Sequence, residues 1–297
     1  MTIKKFLIEY DSINSWNTFT NGDVINGRII VDASKEAKIQ SLVFIATGAA
    51  QVVLTEYYGD NQRRVYVANE YYYEFKHHIL GGERQAGTEI IGKGANVFPF
   101  TFRIPDGRIP STFETPPGKI VHKLKAELHQ SWNKTKTAKV HFHFVSKADM
   151  SIPNLLVPHS GCNSKNVRVF GSGTVSLDVR IDKMGYRQGE ILQVTIEIRN
   201  TTSRSVKPKF VLYEKRSYFA QGHKMFPTRE ILKEKAEAVK ASSGSKTVTK
   251  TITIPRELPT TILNCSIIKR EYSLKVFLKI KRASNPEVTL PIVILPF

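Results

Sequence analysis

An all-β chain built as two tandem sandwich domains is what this sequence predicts, and three observations carry the expectation. Runs of alternating β-branched or aromatic residues, separated by Gly, Pro, Asn and Asp, fill nearly the whole length. A turn followed by an alternating strand occurs twice, first as Gly22-Asp23-Val24-Ile25-Asn26-Gly27-Arg28-Ile29 and again as Gly189-Glu190-Ile191-Leu192-Gln193-Val194-Thr195-Ile196. Each copy is followed by a second marker in the same order: Ile104-Pro105 with Pro110-Ser111-Thr112, then Ile254-Pro255 with Pro259-Thr260-Thr261. Such self-similarity at domain-length spacing points to a duplicated architecture.

The strands follow in order. In the first half, 4–10, 23–32, 39–54, 64–75, 97–104, 119–130 and 137–147 read as seven strands, enough for a sandwich. Within Val97-Phe98-Pro99-Phe100-Thr101-Phe102 the phenylalanines alternate and should line one inner face. Pro99 lacks an N–H, which assigns this strand to an edge or Pro99 to a strand start. Residues 151–167 are rich in Pro, Gly, Asn and Ser and read as a linker. Beyond it, 173–181, 190–200, 206–219, 245–254, 262–281 and 288–295 repeat the strand pattern. The expected domains are thus immunoglobulin-like β-sandwiches at 1–150 and 168–297. One segment dissents: 229–240 is rich in helix formers, with Ile231, Leu232, Lys235, Ala236 and Val239 at helical spacing, so a short helix competes there with a strand imposed by the sandwich.

At 297 residues the chain is long enough for two separate cores. No stretch offers the roughly 20 apolar residues that a membrane-crossing helix needs. The opening Met1-Thr2-Ile3-Lys4-Lys5-Phe6-Leu7-Ile8-Glu9 reaches a carboxylate too early for a signal peptide, so a cytoplasmic protein is expected. Cys162 and Cys265 read as free thiols in that compartment.

Charge is the unusual quantity. The net +18 is lopsided, with 19 basic and 15 acidic residues in 1–164 against 25 and 11 in 165–297. That excess favours an anionic partner, among them acidic or phosphorylated segments and inner-leaflet lipid. Nucleic acid is not expected, because no recognisable module accompanies the charge. In Lys275-Val276-Phe277-Leu278-Lys279-Ile280-Lys281, simple alternation places Val276, Leu278 and Ile280 inside and the lysines outside.

Catalytic signals are sparse. His141 and His143 share a strand face, yet no Cys, Asp or Glu beside them completes a metal set. Gly92-Lys93-Gly94 lacks the length and hydroxyl of a phosphate-binding loop. Neither cysteine has a neighbour that would activate it. No enzyme, cofactor or metal is expected.

The run from Phe98 to Pro105, through Pro110-Ser111-Thr112-Phe113-Glu114, to Gly118-Lys119-Ile120-Val121-His122-Lys123-Leu124 resembles the arrestin amino-terminal domain. Gly185-Tyr186-Arg187-Gln188-Gly189-Glu190, Asn200-Thr201-Thr202-Ser203, Pro259-Thr260-Thr261-Ile262-Leu263-Asn264-Cys265 and Glu271-Tyr272-Ser273-Leu274 resemble the carboxy-terminal one. The detail is most similar to the arrestin-domain-containing proteins, or α-arrestins. The resemblance implies a bilobed adaptor that binds receptors or transporters for endocytosis and endosomal sorting, peripheral to the plasma membrane and endosomes. It further implies recruitment of a HECT-type ubiquitin ligase through Pro-Pro-x-Tyr motifs in a tail. The one Pro-Pro pair, Pro116-Pro117, is followed by Gly118-Lys119, so ligase recruitment is expected only through a segment beyond Phe297. Thioredoxin capture, which one family member performs with a reactive cysteine, does not carry over, since Ser242, Ser243 and Ser245 occupy that region. Receptor-binding arrestins sense phosphate with a lysine pair on the first strand, and Lys4-Lys5 resembles it in place. Strand alternation would point those two lysines to opposite faces. Lys207, Lys209, Lys215 and Arg216 complete the candidate cargo or anion contacts, with Lys207 and Lys209 on one face. A peripheral anionic-lipid binder and a coat-subunit scaffold are the alternative readings.

Overall fold

The computed structural model describes residues 2–59, 62–82, 89–130, 135–167 and 173–296; it is β-structure throughout, with no helix among them. The chain divides into two compact units. The first comprises Met1–Lys147 with the short segments Phe219–His223 and Asn264–Ile267, and the second comprises Ala148–Tyr218, Lys224–Leu263 and Ile268–Phe297.

Unit one holds β1 (Ile3–Tyr10), β2 (Thr18–Phe19), β3 (Val24–Ala33), β4 (Ala37–Ile39), β5 (Ser41–Tyr58), β6 (Gln62–Leu80), β7 (Glu89–Ile91), β8 (Gly94–Arg103), β9 (Phe113–Thr115), β10 (Gly118–His129) and β11 (Lys136–Phe144). One sheet runs β1-β3-β8; the other runs β2-β11-β10-β5-β6, with β9 also on β10 and a small β4-β7 ribbon apart. β8 is an edge strand, which is why Pro99 is tolerated within it. Phe100 and Phe102 turn inward as the alternation demands, 6% and 3% exposed. Phe44 from the opposite sheet stacks on Phe100, with centroids 4.4 Å apart, and the hydrophobic cluster of the unit closes around them.

In β10 the inward positions include one polar residue, His122, which is fully buried. Its Nε2 lies 3.0 Å from the Pro110 carbonyl and its Nδ1 3.0 Å from the Tyr73 hydroxyl. The carbonyl can only accept, so Nε2 carries the proton and Nδ1 accepts from Tyr73, which fixes a neutral tautomer. Gly48 makes the arrangement possible: a Cβ there would stand 2.4 Å from the Tyr73 ring and 2.9 Å from Nδ1.

Unit two holds β12 (His159–Val167), β13 (Gly173–Ile181), β14 (Gly185–Arg187), β15 (Ile191–Asn200), β16 (Val206–Ala220), β17 (His223–Met225), β18 (Thr228–Lys235), β19 (Gly244–Thr253), β20 (Ile268–Ile280) and β21 (Glu287–Leu295), strand bounds being drawn without regard to the unit division. Its sheets run β12-β13-β15-β19 and β14-β21-β20-β16-β17, with β18 also pairing β16. Tyr186, Phe210, Leu274 and Val276 sit among its fully buried residues.

One stretch differs from the expectation, and a second, left open between helix and strand, is decided. The linker assigned to 151–167 contains β12, which pairs along its whole length with β13, from His159 opposite Ile181 to Val167 opposite Gly173. Its small polar residues suit an edge strand whose outer face is solvated. In the segment 229–240 the strand prevails over the helix: β18 pairs with β16 from Lys209 opposite Lys235 to Lys215 opposite Thr228, with a bulge beside Tyr213. Pairing to an available strand edge outweighs intrinsic helix preference.

The two sequence markers are the same hydrogen bonds made twice. Gly22 and Gly189 hold φ of 81° and 80°, a region glycine enters without strain. The acid after each accepts from the backbone N–H three residues before it: Thr20 to Asp23 at 2.8 Å, Arg187 to Glu190 at 2.7 Å. Ile104 donates to Asp23 O and accepts from Gly22; Ile254 donates to Glu190 O and accepts from Gly189. Thr112 Oγ1 then accepts from Phe144 N–H at 2.9 Å, and Thr261 Oγ1 from Ile294 N–H at 2.8 Å. The short strands repeat too, β2 lying parallel to β11 and β14 parallel to β21.

Candidate cargo and anion surface

The candidate residues fall in three places. Lys4 and Lys5 lie on β1, and a register shift between Ile3 and Lys5 breaks the alternation, so both are exposed. The expectation that they point to opposite faces assumed an unbroken strand; the irregular register accommodates an extra residue and removes that constraint.

Lys207, Lys209 and Lys215 lie on β16, and its neighbours bring further lysines to the same sheet face. Lys207 stands opposite Lys279 on β20, and Lys209 stands between Phe277 on β20 and Lys235 on β18. Val211 lies between Lys275 and Lys233 in the next outward pair. Two of these lysines are neutralised nearby, Lys275 by Glu287 at 2.7 Å and Lys233 by Glu230 at 3.3 Å. Lys207, Lys209, Lys235 and Lys279 make no such pair among the described residues. Partial desolvation, then the charges of Lys279, Lys233, Lys207 and Lys235, hold the Lys209 ammonium below the usual lysine range. Lys215, farther along, lies over the Phe226 ring at 5.0 Å.

Arg216 belongs to a different arrangement. Glu214 is 3% exposed and receives Arg270 Nε at 3.1 Å on one oxygen, with Arg229 Nε at 3.2 Å and Arg216 Nε at 3.9 Å on the other. Burial depresses the Arg270 guanidinium while Tyr272 and Glu214 work against it. One buried carboxylate therefore gathers three guanidiniums, and Arg216 is occupied by that role rather than displayed with the lysines.

Sequence reading missed Lys233, Lys235 and Lys279 as members of the patch. The first two were hidden because their strand read as helix-prone, and Lys279 because alternation alone accounts for an outward lysine. Cross-strand register, which sets the cluster, requires knowing that β18 and β20 flank β16.

Among the described residues no group of three or more His, Cys, Asp and Glu could hold a metal ion, and no helix is long and apolar enough to cross a membrane. Cys162 is exposed and Cys265 buried, and the two form no disulfide.

Comparison with known proteins covers both units. The family model described as "Arrestin (or S-antigen), N-terminal domain" matches residues 6–151, and "Arrestin (or S-antigen), C-terminal domain" matches 171–297. Arrestin domain-containing protein 4 of Mus musculus is 27% identical over 287 residues, spanning 93% of this chain and 68% of that protein. Its Homo sapiens counterpart is 28% identical over 283 residues, with the same coverage of 93% and 68%. Thioredoxin-interacting protein of Homo sapiens is 24% identical over 298 residues, spanning 98% of this chain and 74% of that protein.

Proposed function

Because the chain belongs to the arrestin family and carries both of its domains, we propose that it is an adaptor that binds membrane-protein cargo and directs its endocytosis and endosomal sorting. The observation that carries the proposal is the pairing of two complete β-sandwiches with an unneutralised lysine face on β16, β18 and β20. Two sandwiches with matched hydrogen-bonding frames offer broad sheet surfaces suited to proteins. Four lysines without counter-charge would draw such a surface toward acidic cytoplasmic segments or the anionic leaflet beside them. The adaptor would act in the cytoplasm, peripherally at plasma membrane and endosomes. Ubiquitin-dependent sorting would require a ligase-binding segment beyond Phe297.

Proximity labelling in intact cells tests the reading. Integral membrane receptors or transporters should be enriched over a cytosolic control, and K207Q/K209Q/K235Q/K279Q should reduce that enrichment. Labelling that recovers only soluble proteins counts against it. The lysine face also favours a second reading, direct binding of anionic lipid with no cargo. Sedimentation with phosphatidylserine vesicles separates the two, since lipid binding on that footing must weaken as salt shortens the Debye length.

A further inference from the structure

A second basic feature lies in unit one, on the solvent side of the sheet β11-β10-β5-β6, where a cavity of about 280 Å³ opens. Its floor is made of small residues, Ala49 on β5 and Val121 opposite it on β10. Lys119 and Lys123 line it from β10 and Lys139 and His141 from β11, with no carboxylate among the described lining residues. Lys123 stands opposite Thr47 on one side and His141 on the other.

Thr47 is the decisive residue. It is 8% exposed, and its buried hydroxyl has no hydrogen-bond partner among the described residues. Native structures seldom leave such a group unpaired, and each case calls for an explanation. An oxygen-rich ligand seated among the three lysines would supply an acceptor for that hydroxyl.

The opposite wall has another character. Tyr71 on β6, across from Ala49, is 70% exposed, and Gln51 donates to Asn69 at 3.0 Å beside it. That leaves the Gln51 oxygen and the Asn69 nitrogen for a polar edge. β10 and β6 lie two strand spacings apart, about 10 Å, a span suited to a ligand with a phosphate at one end and a planar ring at the other. An aromatic ring facing solvent stacks planar bases with little regard to their identity.

We propose that this cavity binds a nucleoside monophosphate, its phosphate held by Lys119, Lys123, Lys139 and the Thr47 hydroxyl and its base laid against Tyr71. This goes beyond the adaptor reading and does not depend on it. A larger cavity on the sheet β12-β13-β15-β19, about 620 Å³, sets Asp178 and Glu197 beside Arg180 and Arg199, and so has no comparable bias toward an anion.

Calorimetric titration of the whole chain tests the proposal with the four common nucleoside monophosphates, adenosine and inorganic phosphate. At least one nucleotide should bind one-to-one and about tenfold or more tighter than phosphate or adenosine, since phosphate lacks the base stack and adenosine the charge-assisted contacts, each worth roughly that factor or more. K123Q and T47V should each weaken it, and Y71A should erase the advantage over inorganic phosphate. K209Q/K235Q, on the other unit, should leave it unchanged. Tyr71 is exposed, so Y71A keeps the question open to measurement should T47V fail to fold. The proposal is overturned if no nucleotide binds, if phosphate alone binds as well as the nucleotides, or if binding is lost in K209Q/K235Q and kept in K123Q.

Discussion

His122 shows how one residue sets a condition on the whole of unit one. Burial pushes its pKa down to about 4, with the Pro110 carbonyl opposing that shift. The unfolded ring takes up a proton near pH 6.5 while the folded one does so only near 4, so the unfolded state binds more protons in between. Stability is therefore complete above about pH 6.5 and is lost as pH falls toward 4, by about 3 kcal/mol in total. Urea unfolding at pH 7.5 and pH 5 should show the loss, and His122→Gln should flatten the slope while lowering stability at both. An unchanged slope in the variant would assign the pH dependence elsewhere. Glu214 is the counterpart in unit two. Glu214→Gln leaves Arg270, a guanidinium 10% exposed, without its carboxylate, and removing one partner of a buried pair costs about 3–5 kcal/mol. Chemical denaturation checks this, and a loss under 1 kcal/mol would mean that water or the Thr260 carbonyl, 3.5 Å from Arg270 Nη1, suffices.

At the scale of the element, the repeated markers make a paired prediction. Thr112→Val and Thr261→Val each delete one side-chain acceptor for a backbone N–H at the same place in the two frames. Each should cost about 1 kcal/mol, a typical net hydrogen bond, as thermal unfolding would show. A large difference between the two would mean that the frames match in geometry but not in energetic weight. These markers were legible in the sequence because Gly, an acid, Pro and Thr at fixed offsets encode backbone geometry directly. Strand β18 was not decided by the sequence, since Glu, Lys, Arg and Leu are good helix formers and only the presence of β16 beside them settles the competition. The lysine face inherits that limit: Lys207 and Lys209 could be placed on one face from alternation, but their neighbours from β18 and β20 could not. Lys209→Glu should raise the melting temperature slightly by relieving like-charge repulsion, while weakening attachment to anionic vesicles at low salt. A fall in melting temperature would show that Lys209 contributes packing that outweighs its charge.

For the molecule as a whole, duplication is legible in the sequence because both copies keep the same turn residues. The two unit topologies share one path, β1-β3-β8 with β13-β15-β19 and β2-β11-β10-β5-β6 with β14-β21-β20-β16-β17, to which unit two adds the edge strand β12 and unit one the β4-β7 ribbon. Function was legible only to the level of the family, since surface residues that select a partner leave no periodicity. The Thr47 cavity left no trace either, because an orphaned hydroxyl is a property of packing. Nanodiscs test the adaptor reading most directly: one set empty with anionic lipid, another carrying a receptor or transporter recovered by proximity labelling. The chain should bind the loaded discs more tightly than the empty ones and keep that margin when salt screens the lysine face. Equal binding to both, vanishing together as salt rises, would contradict the adaptor and leave a lipid-binding protein in its place.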